Sequence, residues 1–338
     1  MRKYKRCLIA AIGLLTLTAC TDNTAEAHTL DLFAMDTYMN LKVYGSHAED
    51  ALQAAEQRIT ELESMLSVTD EASEIWAVNH ANGNPVTVSD DTFAILQTAR
   101  QVSAESGGAL SVSLYPVLQA WGFTTGFYQI PAEDTLHNLL QHVDDSRITI
   151  NGHQLTLPEH MQLDLGALAK GYTGDAVMDA MRECGVTSAI ISLGGNVQAL
   201  GSKPDGSDWT VGIVNPFAPD TNLGVVTVAD KAVITSGNYE RYFIGDDGNR
   251  YWHILDPVDG YPADNGLISV TVIGESGVRC DALSTALFVE GEKKAVKHWQ
   301  SSGDFEMVCV TDDGRLLVTE DAQFQPACNL PVTVISYE

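Results

Sequence analysis

The chain has 338 residues and a formal net charge of -26, from 45 acidic against 19 basic side chains. Such an acidic body has nothing to neutralise a run of nucleic-acid phosphates, which excludes DNA and RNA as partners. Any phosphate-bearing ligand must be drawn in by a bound cation or by local backbone dipoles.

Arg2, Lys3, Lys5 and Arg6 open the chain with positive charge, Leu8 to Leu17 form a short apolar run, and Leu17-Thr18-Ala19-Cys20 places small residues before a cysteine. The pattern resembles a bacterial lipoprotein signal, cleaved before Cys20 and acylated on that thiol. A spanning helix needs roughly 20 apolar residues and this run is too short. The expected division is residues 1–19 as signal peptide, 20–28 as lipidated cysteine and polar tether, and 29–338 as the folded domain. The protein is then expected on the extracytoplasmic face of a cell membrane, held by its lipid. Cleavage removes four basic and no acidic residues, so the body becomes still more negative, at -30.

Residues 29–45 alternate as an initial strand. Ser46 with Glu49 makes a capping-box pattern, and Leu52, Ala55, Ile59, Leu62 and Leu66 then recur at helical spacing. Further helices are expected over Asp90 to Ser106, ended by Gly107-Gly108, and over Ala132 to Val143. Ile148 to Leu157 reads as a hairpin closed by Asn151-Gly152. A helix follows Gly171 and stops at Cys184-Gly185. Strands are expected over Ser188 to Leu193, Trp209 to Val214, Val225 to Val228, Val233 to Ser236, Tyr239 to Ile244, Arg250 to Leu255 and Leu267 to Ile273. A helix at Asp281, another over Glu292 to Ser301 and two strands around Asp313-Gly314 complete the body. Helices and hairpins are segregated along the chain, so the fold class is α+β with mostly antiparallel sheets, in one body of two lobes.

The mature thiols Cys184, Cys280, Cys309 and Cys328 show no CxxC spacing, so no zinc site is expected. In an oxidising compartment the C-terminal strands could pair Cys309 with Cys328, which the sequence does not decide.

Asp281 and Thr285 stand one helical turn apart and share a face, offering two hard oxygen ligands at the start of an apolar helix. Either they hold Mg²⁺ and a phosphate, or Asp281 caps the helix and Thr285 bonds back to a carbonyl. Asp164 to Tyr172 joins a strand-like approach to a helix through Gly166 and Gly171, which let backbone pass near a ligand, or simply flank a cap. Ser192 to Asn196 is a glycine turn after an apolar strand. Arg241 suits a phosphate, an acceptor protein or a structural ion pair. His253, just before Asp256-Pro257, is placed to accept a hydroxyl proton if the fold brings it to the metal helix.

Taken in order, Met35-Asp36-Thr37, Gly108 to Leu110, Tyr115-Pro116 through Trp121-Gly122-Phe123, Asp164 to Tyr172, Ser192 to Asn196, Ser236 to Asn238, His253 to Pro257 and Asp281 to Thr285 resemble the ApbE family of FAD:protein FMN transferases. The resemblance spans essentially the whole mature chain. It implies a two-lobed α+β fold with FAD between the lobes and Mg²⁺ on the pyrophosphate. It also implies transfer of FMN from FAD to a threonine of an acceptor flavoprotein, with a phosphoester formed and AMP released. By position, Asp281, Thr285 and the Ala167 carbonyl would hold the metal. Met35, Thr69, Ala109, Leu110, Ser111, Asp164, Lys170 and Leu255 would contact FAD, and His253 would activate the threonine. The implied acceptors are FMN-binding domains of membrane or extracellular redox systems. The chain departs from the family pattern at Asp36, where many relatives have glycine, and at Ser111, where many have aspartate. Thr69 falls where relatives often carry a ring or an asparagine against the flavin, and a lost aromatic stack costs about 0.5–1.5 kcal/mol. Two other activities fit the same residues: an FAD pyrophosphatase using water, and a lipid-anchored FAD-binding protein without chemistry.

Overall fold

The computed structural model describes residues 26–337. The expected signal segment and the expected acylation of Cys20 fall outside the described residues. The chain opens with β1 (Ala27–Ala34), β2 (Thr37–Tyr44), α1 (Ala48–Leu66) and α2 (Glu74–Asn79). Next come β3 (Val86–Thr87), α3 (Asp90–Glu105), α4 (Tyr115–Trp121), α5 (Glu133–Leu140), β4 (Thr149–Asn151), β5 (Gln154–Thr156) and α6 (Ala169–Glu183). The strand-rich stretch holds β6 (Ser188–Leu193), β7 (Asn196–Leu200), β8 (Trp209–Val214), β9 (Asn222–Val228), β10 (Ala232–Gly237), β11 (Tyr242–Ile244), β12 (Arg250–Trp252) and β13 (Leu267–Gly274). The chain closes through α7 (Gly277–Glu290), α8 (Glu292–Ser302), β14 (Glu306–Thr311), β15 (Leu316–Thr319), β16 (Phe324–Pro326) and β17 (Val332–Ile335).

Nine strands form the main sheet in the order β1-β2-β6-β7-β10-β13-β14-β15-β17. Its pairings are antiparallel except the last, β15 with β17. Both faces of its centre are covered, so β13 and β14 are buried along nearly their whole length, Ser269 and Thr271 included. Val270, Val272, Met307 and Cys309 face a core shared with α2, α3, α7 and α8. Ile273, Val308 and Val310 face the three-stranded sheet of β16, β9 and β8. A third cluster places α1 and α6 over β2 and β6. The α+β class with antiparallel sheets is the observed one.

A smaller aromatic cluster forms the second lobe, with Trp121, Phe123, Leu136 and Leu255 at its centre and Phe243, Tyr251 and Tyr261 around it. Trp121 Nε1 donates to the Gly260 carbonyl at 2.7 Å, which satisfies its one donor inside the cluster. This lobe and the large sheet enclose the site.

Several local expectations need correction. Residues 29–45 are two strands, broken at Met35 and Asp36, whose φ angles of 49° and 57° make the two-residue left-handed turn of a tight hairpin. Ser46 does not cap α1; His47 takes that position and makes no side-chain cap bond. The hairpin of β4 and β5 turns on Gly152-His153, one residue later than read. The extended reading of Tyr239 to Leu255 shrinks to the three-residue strands β11 and β12, leaving His253 just past a strand end. Helix α7 begins four residues before Asp281 and is capped by Ser276. After Asp313-Gly314 the chain adds β16 and the edge strand β17. The described cysteines are free thiols. Cys309 faces the helical core and Cys328 packs on the opposite side of the sheet, so the two cannot meet.

Candidate active site

A cleft of about 520 Å³ opens between the aromatic lobe and the helical face of the large sheet. Every residue singled out from the sequence as a FAD, metal or base candidate lines it: Met35, Thr69, Ala109, Leu110, Ser111, Asp164, Ala167, Lys170, His253, Leu255, Asp281 and Thr285. Of these, Leu110 and Leu255 are buried as side chains, and Thr69 is exposed at the rim.

Two hairpin tips form one wall. The Met35 amide donates to Glu63 Oε1 at 2.6 Å, tying the β1–β2 turn to α1. A Cβ at Gly194, in the β6–β7 turn, would lie 2.2 Å from Thr37 Oγ1, so only glycine lets the two tips lie side by side. The Gly194-Gly195 turn does close a hairpin, and it also delivers Asn196 to the cleft. The next wall is set by Asp145, whose carboxylate accepts from Ser111 Oγ at 2.7 Å, Ser113 Oγ at 2.6 Å and the Val112 amide at 2.9 Å. Ser111 has therefore spent its proton and offers a ligand only lone pairs.

The floor is the entry to α6. Asp164 Oδ1 accepts from the Gly166 amide at 2.7 Å, and burial pushes its carboxyl above the usual range against the pull of that bond, Arg241 and Lys170. Gly171 serves packing, not ligand approach: a Cβ there would meet the Gly277 carbonyl oxygen at 2.3 Å and Asp281 Cβ at 2.7 Å. Its amide donates to Asp281 Oδ2 at 2.8 Å. In a regular turn that amide would bond the carbonyl four residues back. No backbone amide bonds the Ala167 carbonyl among the described residues. Its oxygen is left unmatched where it lines the cleft.

Asp281 is 5% exposed, in the second turn of α7. The amides at the start of α7 are already taken, Gly277 N and Val278 N donating to Asp175 at 2.7 and 2.9 Å. Neither capping by Asp281 nor an anion seat at that helix end is available. Burial raises the Asp281 carboxyl, opposed by Lys170, the Gly171 amide and Asn196. Thr285 bonds no carbonyl among the described residues; its hydroxyl lies 3.2 Å from Ser236 Oγ, which also meets Ser284 Oγ at 2.8 Å. Most of the remaining buried side chains of α7 are apolar and include fully buried Leu283 and Leu287. Each such side chain contributes roughly 1.5–3 kcal/mol, which offsets burial of one carboxylate.

His253 takes two bonds from one carbonyl: its amide donates to Arg241 O at 3.1 Å and its Nδ1 lies 3.2 Å from the same oxygen. Because a carbonyl only accepts, Nδ1 carries the proton and Nε2 keeps a free lone pair. Burial among protein atoms, with Arg241 and Lys170 nearby, lowers its pKa to about 4, so the ring is neutral at pH 7. Arg241 itself donates to the Phe123 carbonyl at 2.6 Å and has no carboxylate within ion-pair distance among the described residues.

Sequence reasoning missed Glu240 and Thr124. Glu240 lines the cleft, open to it yet surrounded by protein, and desolvation with Asp281 nearby pushes it up to about 7 against Lys170. The Thr124 hydroxyl is buried there without a hydrogen-bond partner. Both sit beside landmark segments, but nothing local marks them as cleft-facing.

A model of the ApbE family matches residues 35–309. The chain belongs to the ApbE family. Relatives of this ApbE chain include a FAD:protein FMN transferase of Klebsiella pneumoniae (strain 342), 34% identical over 304 residues that cover 88% of this chain and 93% of that one. Another is the FAD:protein FMN transferase of Vibrio cholerae serotype O1, 30% identical over 318 residues, covering 91% and 94%. Among solved structures, an ApbE protein from Thermotoga maritima superposes with a TM-score of 0.82 at 28% identity, covering 87% of this chain and 97% of that one. The apo form of the Pseudomonas stutzeri flavinyl transferase ApbE gives 0.77 at 30% identity, covering 86% and 92%.

Proposed function

We propose that this ApbE protein transfers FMN from FAD to a threonine hydroxyl of an acceptor flavoprotein. The threonine oxygen bonds to the phosphorus on the FMN side, the bond from that phosphorus to the bridging oxygen breaks, and AMP leaves with the bridging oxygen. The observation that carries this reading is that one cleft is lined by a neutral histidine with a free Nε2, a buried carboxylate and a carbonyl left without a backbone donor. His253 Nε2 accepts the proton released by the threonine. Lys170, which has no carboxylate within ion-pair distance among the described residues, is free to face a phosphate oxygen.

The residues at the α6–α7 junction fit a magnesium ion. The Asp281 carboxylate, the Thr285 hydroxyl and the Ala167 carbonyl are hard oxygen donors. No group of three or more His, Cys, Asp or Glu suited to a metal occurs among the described residues. That suits an ion bound by few protein ligands plus substrate phosphates, and not an all-protein cage. Such an ion would supply the positive charge that an acidic protein lacks for a pyrophosphate.

The test is to incubate the soluble body with FAD, Mg²⁺ and an FMN-binding acceptor domain containing a target threonine. Covalent in-gel flavin fluorescence with one AMP per flavin is the expected result. AMP and free FMN without covalent flavin would make it a hydrolase instead, and neither product would make it a binding protein.

Acylation of Cys20 completes the proposal and puts the cleft beside membrane or extracellular redox acceptors. No helix among the described residues is long and apolar enough to span a membrane. Mass spectrometry of the mature N-terminal peptide should show a diacylglyceryl-modified Cys20, and an unmodified Met1 terminus would overturn it.

A further inference from the structure

Three segments begin in the cleft wall and run outward into exposed apolar side chains. Phe123-Thr124 leads to Phe127, which is 84% exposed, and then to Tyr128 and Ile130. Glu240-Arg241 leads to Tyr242 and to Ile244, 59% exposed. His253-Ile254-Leu255 leads to Val258, 86% exposed.

The segments form one surface. Tyr128 stacks on Phe243 at 5.0 Å, Phe123 lies 6.4 Å from the His253 ring, and a Cβ at Gly245 would touch Ile130 at 3.0 Å. The backbone beneath is rigid, since Phe243 and Tyr251 pack on the aromatic core. Monomeric proteins seldom leave apolar groups clustered in this way without a partner.

Acidic residues outnumber basic ones around them. Asp246, Asp247, Asp256 and Asp259 occupy the two turns of this rim, and residues 122–131 carry no charge. Two arginines stand among these four aspartates and keep their charge, Arg241 on the Phe123 carbonyl and Arg250 over the Tyr242 ring at 5.0 Å and on Asn238, so the rim is acidic on balance. Thr124, with a buried and unpartnered hydroxyl, belongs to the cleft wall where the first segment begins.

We propose that this rim, centred on Phe127, Ile244 and Val258, is the docking surface for the acceptor domain. That domain would present apolar side chains within a basic margin and lay its threonine over His253. The inference rests on the transferase reading and adds where the protein substrate binds. A cleft of about 520 Å³ is of small-molecule size, so a folded acceptor must sit on the mouth. The rim is the part of that mouth next to the base.

The test uses the soluble body and a purified FMN-binding acceptor domain in two forms, one with its target threonine and one with that threonine replaced by alanine as a non-reactive binder. The triple variant Phe127→Ala, Ile244→Ala, Val258→Ala removes exposed groups and should leave FAD affinity unchanged. We expect its Kd for the non-reactive domain, and its KM for the reactive one, to rise at least tenfold with kcat within twofold. A matched change at the other corner of the cleft, Phe33→Ala with Tyr38→Ala, should move neither. Raising salt from about 50 to 500 mM should weaken binding by the wild type several-fold through loss of the charge match. Equal binding by wild type and triple variant overturns the proposal, as does no binding by the wild type. Binding lost in the triple variant while the wild type fails to transfer flavin upholds the surface and sinks the transferase reading, so the two fail separately.

Discussion

His253 shows how a single hydrogen bond fixes chemistry. Its Nδ1 proton is committed to Arg241, and the same surroundings hold its pKa near 4. Transfer should therefore persist as pH falls through the ordinary histidine range near 6.5 and fail only toward pH 4. An acid limb centred at 6.5 in kcat against pH would show that another group is the base. His253→Ala should keep FAD affinity within a few-fold and lose transfer. Glu240 carries the opposite shift, to about 7 in the folded protein against an ordinary 4.5. The native state then holds a proton that the unfolded chain has released, so stability falls as pH rises from about 4.5 through 7. Glu240→Gln should match the wild type in denaturant midpoint at pH 4.5 and exceed it at pH 8. Equal midpoints at pH 8 would show that the cleft solvates this carboxyl. For Asp281→Ala the expected outcome is loss of Mg²⁺-dependent turnover, assayed as AMP release against Mg²⁺ concentration; an unchanged curve would remove it from the metal site.

At the scale of elements, the α6–α7 junction does most to assemble the site. Gly171 lets the helices touch, its amide turns from Ala167 to Asp281, and Gln198 Nε2 holds its carbonyl at 2.9 Å. Gly171→Ala must separate the helices or bend one, at a cost of about 1–3 kcal/mol. Its denaturant midpoint should drop accordingly, and its half-saturating Mg²⁺ should rise. Part of this was legible in the chain. The spacing of Asp281 and Thr285, the glycines near the start of α6 and the histidine near the end of an expected strand are local patterns, and they led to residues that meet in one cleft. The rest depended on contacts between distant segments. Gly171 reads as a ligand-approach glycine until Gly277, more than a hundred residues later, is seen against it. The start of α7 was misplaced because its cap, Ser276, precedes a glycine that looks like a helix breaker, and Asp175 from another helix completes that cap. The β1–β2 turn was missed because Met35-Asp36 lacks the glycine that usually marks such a hairpin.

For the whole molecule, the dominant fact is the negative field. FAD is an anion approaching a strongly acidic body, so without divalent metal its association should quicken as salt screens the repulsion. Stopped-flow flavin fluorescence measures this directly. A rate that falls with ionic strength would mean the cleft is locally attractive on its own. Geometry adds a bound on reach. Strand β1 runs from Ala27 to the Met35-Asp36 turn at the cleft, about 27 Å at strand spacing. The seven-residue step from Cys20 to Ala27 adds at most about 25 Å when fully stretched. An acylated enzyme is therefore a leashed one, whose chemistry is confined to a shell roughly 50 Å deep above the bilayer. Proteins whose target threonine stands farther out than that would escape flavinylation however well they fit.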